Sequence, residues 1–122
     1  MEQGWFVAGT ILAFLAVAFG AFAAHSLKAR LSSDDLSIWE TGARYQMYHA
    51  LALLGVAYAA QRWGGGFTTA AGWLFVVGVV LFSGSLYLLS TSGIKVLGAV
   101  TPLGGLCFLS GWVCLAIAAW RG

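Results

Sequence analysis

Charge is what this sequence has least of: six Lys and Arg and four Asp and Glu in 122 residues, or 8% of the chain. A soluble domain carries about 25%, and a chain that is 61% apolar has too little polar surface to face water on every side. None of the charges falls within the stretches Gln3–Leu27, Tyr45–Gln61, Trp63–Ile94 and Val96–Trp120. No acidic residue lies inside a span, which weakens any transport or proton-relay reading. Cysteine is scarce too. Cys107 and Cys114 stand seven apart, two helical turns or about 10.5 Å, beyond the roughly 7 Å that a disulfide bridges. Two thiols without other soft ligands make a poor metal site, so the pair reads as small packing residues and no metal or cofactor is called for. No serine sits in a Gly-x-Ser-x-Gly elbow, and Phe82-Ser83-Gly84-Ser85 reads as small-residue helix packing. The net charge of +2 is spread over both ends and all links, so there is no basic patch for nucleic acid.

The uncharged stretches are what is present. About 20 apolar residues of helix cross the hydrocarbon of a bilayer, and a charge at its centre costs roughly 2.5–3.5 kcal/mol. The pattern predicts one membrane domain over residues 1–122, all-α, with four spans near 4–24, 45–61, 67–89 and 96–120. Ala21-Phe22-Ala23 resembles a leader-peptidase site, but Glu2 without any Lys or Arg precedes it, and the apolar run is about twice the usual length. In the first span Ala16, Gly20 and Ala24 recur every four positions, as do Gly9 and Ala13, a spacing that lets helix backbones approach closely.

The first link is the longest and most polar. Ser32-Ser33-Asp34-Asp35 is a helix-start signal, because the hydroxyl caps free amides and the carboxylates favour the positive dipole end. Leu36, Trp39 and Ala43 then share a face, which predicts an amphipathic interfacial helix over 34–43, bending into span two near Gly42. Arg62-Trp63-Gly64-Gly65-Gly66 reads as a flexible turn and Gly93 as a left-handed helix cap. Pro102 should kink or loosen the first turns of span four. The side holding Lys28, Arg30, Arg44 and Lys95 carries more cations than the side holding Arg62 and Arg121, which predicts that both termini face the periplasm. Trp5, Trp63, Trp73 and Trp120 then fall at the outer ends, as an interfacial belt does.

Uncharged polar residues gather in the half of the bundle assigned to the cytoplasm: His25 and Ser26, then Tyr45, Gln46, Tyr48 and His49, then Ser83, Ser85, Tyr87 and Ser90, then Thr101. In hydrocarbon such groups must find partners, so they are expected to face inward and meet. Tyr45, Gln46 and His49 should share one face of span two, and Ser83, Tyr87 and Ser90 one face of span three. His25 and His49 are expected at similar depth. The set reads as hydrogen-bonding glue between helices, as a pocket for a small molecule, lipid headgroup or quinone, as a proton path, or as a bis-histidine haem site. The candidate ligand-binding residues are His25, Tyr45, Gln46, His49, Ser83, Tyr87 and Thr101.

Four strings carry a resemblance. Phe19-Gly20-Ala21-Phe22-Ala23-Ala24-His25-Ser26-Leu27 resembles the "GAFGAHGL" signature of a small membrane family. Trp39-Glu40-Thr41-Gly42-Ala43-Arg44-Tyr45-Gln46-Met47-Tyr48-His49-Ala50-Leu51-Ala52-Leu53, Phe82-Ser83-Gly84-Ser85-Leu86-Tyr87 and Thr101-Pro102-Leu103-Gly104-Gly105 resemble its other motifs. The family is the domain-of-unknown-function 423 family, also called transmembrane protein 256-like. Ala23 and Ser26 stand where it usually has glycines. The resemblance implies a bacterial inner-membrane location or a mitochondrial relative, and no activity. The leading expectation is a non-enzymatic accessory or scaffolding protein whose partners are the lipid bilayer and either copies of itself or another membrane protein. The alternative is a binding or conducting module using the polar half.

Overall fold

The computed structural model describes residues 2–122, and they form an all-α membrane helical bundle. Helix α1 runs Glu2–His25, α2 Ser33–Arg62, α3 Gly66–Ser92 and α4 Leu97–Arg121. A single 3₁₀ turn, Leu27–Ala29, lies between α1 and α2. The helix ends follow local chemistry. The Ser32 hydroxyl accepts the Asp35 amide at 3.1 Å, capping the first turn of α2. Gly93, at φ +72°, closes α3 in the left-handed region. Before Pro102, α4 opens with amide bonds from Leu97, Gly98 and Ala99 to carbonyls only three residues back, the tightened start expected near a residue that has no amide to give.

Three helical segments are long and apolar enough to cross a membrane: α1 with its following turn, α3 and α4. The helix holding the expected span 45–61, α2, is too polar for composition alone to pick out. It compensates by position, for it is the central helix. Eleven of its residues are buried, against four in α1 and four in α4. Its neighbours shield the polar groups that lipid would penalise.

Residues 34–43 form the first turns of a single helix that runs on through Gly42, as the expected passage from the first link into span two requires. They pack within the bundle: Trp39 joins Ala23 and Leu27 in a small core closed by Phe19, Leu31, Leu36 and Tyr87. Gly42 serves as a contact point, since a Cβ there would lie 2.9 Å from Tyr87 Cε1. The antiparallel register of α1 and α2 is fixed by two bonds, Trp39 Nε1–H to the Phe19 carbonyl at 3.0 Å and Gln46 Nε2–H to the Leu12 carbonyl at 2.9 Å. Seven residues along α2 thus match seven back along α1. Glu40 and Arg44 therefore stand level with the uncharged run of α1 rather than beyond its end.

The main core is built on Leu53 and Val56 of α2, Phe75 and Val79 of α3, Phe108 of α4 and Trp5 of α1. Trp5 thus departs from the expected belt; it is buried edge-on against Trp73 at 5.3 Å, while Trp63, Trp73 and Trp120 remain outward. Helices α3 and α4 touch through glycines. A Cβ on Gly78 would meet the Phe108 ring at 2.5 Å, one on Gly111 would meet Phe75 at 2.6 Å, and one on Gly104 would strike the Phe82 backbone. Close approach of this kind supplies the dispersion contact that drives association in lipid. Between these contacts α3 makes a π-helical turn, Val79–Ser83.

Gly104→Ala should therefore lower bundle stability by about 1–3 kcal/mol, the usual cost of overpacking. Gly105→Ala, whose Cβ would enter open space, should leave it near native. Thermal melts in mild detergent check both.

Candidate functional site

The polar residues are consumed in pairs that tie neighbouring helices. Gln46, 2% exposed, holds two helices at once: its amide donates to Leu12 of α1, and its Oε1 accepts the Tyr87 hydroxyl of α3 at 2.7 Å. Ser83, fully buried, donates to the Gly42 carbonyl of α2 at 2.7 Å. The hydroxyls of Ser85 and Thr101 lie 2.6 Å apart and join α3 to α4. His49 joins α2 to α4. Its Nδ1 lies 2.8 Å from the Tyr45 carbonyl one turn back, and its Nε2 accepts Trp112 Nε1–H at 3.1 Å. A carbonyl only accepts, so the Nδ1–H tautomer is the one this network assigns. The ring stacks on Phe108 with centroids 3.6 Å apart and planes 5° apart.

The structure thus groups six of the seven predicted residues, but as three separate ties rather than one cluster. Gln46, Tyr87 and Ser83 form one, at the α1–α2–α3 junction. His49 with Tyr45 forms the second, facing α4. Thr101 belongs to the third. Gln46 does not share the His49 side of α2 as spacing had implied; it faces α1 and α3. Ser90 is buried but turns back to its own helix, donating to the Tyr87 carbonyl at 3.1 Å.

His25 is not brought in. It is exposed at the end of α1. The register places His49 close to the level of Gly9, whose Cβ would meet the Ala50 carbonyl. Gly9 and His25 are sixteen residues apart on α1, roughly 24 Å. The two histidines therefore lie at different depths, and the shared-depth expectation is corrected. With it goes the bis-histidine haem site: the two rings cannot flank one porphyrin, and both His49 nitrogens are already engaged. Nor are the polar groups confined to one half. Gln46 sits level with Leu12, near the middle of α1, and His49 lies beyond it.

Sequence reasoning missed Trp112, the partner of His49, and Trp39, whose indole ties α2 to α1. Trp112 lies in an unbroken apolar run, and its one usable signal is the four-residue spacing from Phe108. A groove of about 710 Å³ lies beside His49, where the pocket alternative expected a cavity. Tyr45 and Tyr48 of α2, Phe82 of α3, and Pro102, Leu106 and Trp112 of α4 form much of its wall. The groove is aromatic and apolar, with His49 forming part of its floor. The hydroxyls of Tyr45 and Tyr48 have no hydrogen-bond partner among the described residues. No group of three or more His, Cys, Asp and Glu side chains gathers to hold a metal among those residues.

Comparison with known proteins gives the chain its relatives. It is 50% identical over 114 residues to the UPF0382 membrane protein YwdK of Bacillus subtilis (strain 168), covering 93% of each chain. It is 44% identical over 121 residues to a UPF0382 membrane protein of Staphylococcus aureus (strain bovine RF122 / ET3-1), covering 94% of this chain and 93% of the relative. A UPF0382 membrane protein of Staphylococcus haemolyticus (strain JCSC1435) is 41% identical over 121 residues, with the same coverage. No solved structure matches. The family model described as "Protein of unknown function (DUF423)" matches residues 19–105, a stretch that holds Trp39, Gln46, His49, Ser83, Tyr87 and Thr101. This membrane protein belongs to that family, which carries no assigned biochemical activity.

Proposed function

We propose that the protein is a non-enzymatic accessory or scaffolding membrane protein that acts through the outer faces of its bundle. One observation supports this reading above others: Gln46, Ser83, Ser85, Tyr87, Thr101 and His49, the residues best suited to chemistry, are engaged with one another or with backbone carbonyls. Groups held this way stabilise a fold, and their orientation is set by the neighbouring helices rather than left free for a substrate. In this reading α2 crosses the bilayer with the other three helices, and both termini share a side. Because Arg44 lies within the depth of the bundle, Lys28, Arg30 and Lys95 mark one end against Arg62 and Arg121 at the other. The positive-inside tendency then favours periplasmic termini.

A second reading has its own observation, the groove beside His49. Its aromatic walls suit an acyl chain or the ring and tail of a quinone, with the Tyr45 or Tyr48 hydroxyl left to bond a carbonyl oxygen.

The scaffold reading expects His49→Ala to cost about 2 kcal/mol or more, since the Trp112 indole and the Tyr45 carbonyl lose a partner, while any co-purifying membrane protein is retained. Loss of that partner without loss of stability would count against it. Gln46→Leu should destabilise by about 1–3 kcal/mol, and Gln46→Leu with Tyr87→Phe should cost less than the sum, because the two side chains form one unit. Strict additivity would show that the pair is not a tie. For the groove, mass spectrometry of the natively purified protein should find a stoichiometric lipid or quinone that Gly105→Leu displaces; a clean spectrum removes that reading. Alkaline phosphatase fused at the C-terminus should be active and a green fluorescent protein fusion dark. The reverse pattern inverts the orientation.

A further inference from the structure

Two opposite charges stand where lipid should be. Glu40 and Arg44 are exposed on α2. The α1–α2 register sets Glu40 level with Ala18 and Arg44 level with Phe14. Those levels lie roughly 10 Å and 16 Å inside the His25 end of α1 at 1.5 Å per residue. On α1 they fall within a stretch free of charge from Gln3 to Leu27. A shallow hollow of about 270 Å³, walled by Ala16 and Gly20 of α1 and by Glu40, Ala43 and Arg44 of α2, lies beside them. A Cβ on Gly20 would meet nothing within 4 Å, so the single chain leaves this space unfilled. The pair is spaced for an ion pair along the helix, yet no ion pair joins Glu40 to Arg44 among the described residues. Charges at such depth ordinarily face a protein partner, not acyl chains.

The rest of that face has a period. Ser37, Glu40, Arg44, Tyr48, Leu51 and Tyr58 are all exposed and follow one another at three, four, four, three and seven residues. Ser37, Arg44, Leu51 and Tyr58 keep the seven-residue repeat of helices that pack side by side, with Glu40 and Tyr48 flanking it on the same face. It lies on the side of α2 left open by α1, which packs along α2, and by α4, which packs chiefly along α3.

We propose that a second copy of this chain docks on that face, α2 against α2, with Glu40 of each copy paired to Arg44 of the other. Two copies inserted in the same direction are related by a two-fold axis along the membrane normal, so their α2 helices run parallel. Arg44 then stands one turn, about 6 Å, above the opposing Glu40. Side chains on a helix lean toward its N-terminus, and the longer Arg44 side chain reaches further that way than Glu40 does, which brings the guanidinium down to the carboxylate. A two-fold axis repeats the pair, so both charges on both copies are satisfied. The small side chains of Ala16 and Gly20 leave room for the approach. This deepens the scaffold reading and rests on it: the outer face that acts is this one, and its first partner is the chain itself.

Charge exchange tests it. The full chain, purified in mild detergent, should be dimeric by light scattering. Glu40→Arg and Arg44→Glu should each raise the dimer dissociation constant at least tenfold. Mixed together, the two variants should dimerise again, because an all-basic face meets an all-acidic one. Recovery on mixing also shows that each variant is folded. An independent measurement uses the otherwise native side chains: Leu51→Cys, in a chain whose Cys107 and Cys114 are alanine, should cross-link on oxidation in native membranes, and Val113→Cys should not. A native chain that stays monomeric and does not cross-link through Leu51→Cys overturns the proposal, as does a dimer indifferent to both reversals. A monomer that co-purifies with a different membrane protein ends the self-association while sparing the scaffold reading. A monomer holding only a small molecule in the His49 groove ends both.

Discussion

The fold turns on one constraint: a polar group inside hydrocarbon must be bonded by the protein itself, and Gln46 is where this matters most. A primary amide offers two donors and a carbonyl acceptor. Here the donor side reaches a main-chain carbonyl of α1, Leu12, and the acceptor takes the Tyr87 hydroxyl of α3. A single side chain therefore fixes the depth of two helices against a third. The other ties extend this arrangement. Ser83 bonds the Gly42 carbonyl, Ser85 meets Thr101, and Trp112 donates to His49. The pairs α1–α2, α2–α3, α2–α4 and α3–α4 each carry at least one, and each would be lost if the helices slid by one turn.

Close packing is the condition for these bonds rather than a separate source of stability. Ser83 reaches the Gly42 carbonyl only because a hydrogen stands at Gly42 where any side chain would meet the Tyr87 ring. The same logic runs through Gly78, Gly104 and Gly111, which let aromatic rings of the facing helix lie against backbone. Phe108, held there, provides the flat surface on which His49 stacks. The stack in turn sets the imidazole plane so that one nitrogen meets the Tyr45 carbonyl and the other the Trp112 indole. Aromatic contact, small residues and hydrogen bonds thus form one chain of dependence from α4 back to α2.

Much of this could be read in the residues. Three spans, the Ser32 cap, the Gly93 cap and the inward-facing polar set all follow from elementary rules, because each is a local property of a few neighbouring side chains. Depth was not legible. It depends on register between helices, and composition carries no register. Treating Arg44 as the edge of a span overlooked that α2 already packs along α1 from Trp39, and that put His25 and His49 at one level. Tyr45, Gln46, Tyr48 and His49 also make the central helix the least apolar of the four, although Gln46 and His49 are buried among its neighbours. The Trp112 partner escaped for a related reason: an indole in an apolar run looks like lipid-facing surface until another helix brings an acceptor to it.

The polar residues of this chain therefore fall into two classes with different consequences. Those pointing inward are bonded within the chain, apart from the buried Trp5 indole N–H, which has no partner, and changing a bonded one alters stability before anything else. Glu40, Arg44, Tyr45 and Tyr48 point outward, and there the single chain provides no partner. Tyr45 and Tyr48 border a groove between α2 and α4, and Glu40 and Arg44 border a hollow between α2 and α1. Both lie on the one helix that the other three surround, on the sector of it that they leave uncovered. A bundle that closed fully around α2 would have needed only apolar residues there. That the gap is instead lined with two charges and two phenols is the reason the proposed contact between copies is placed on the open side of α2.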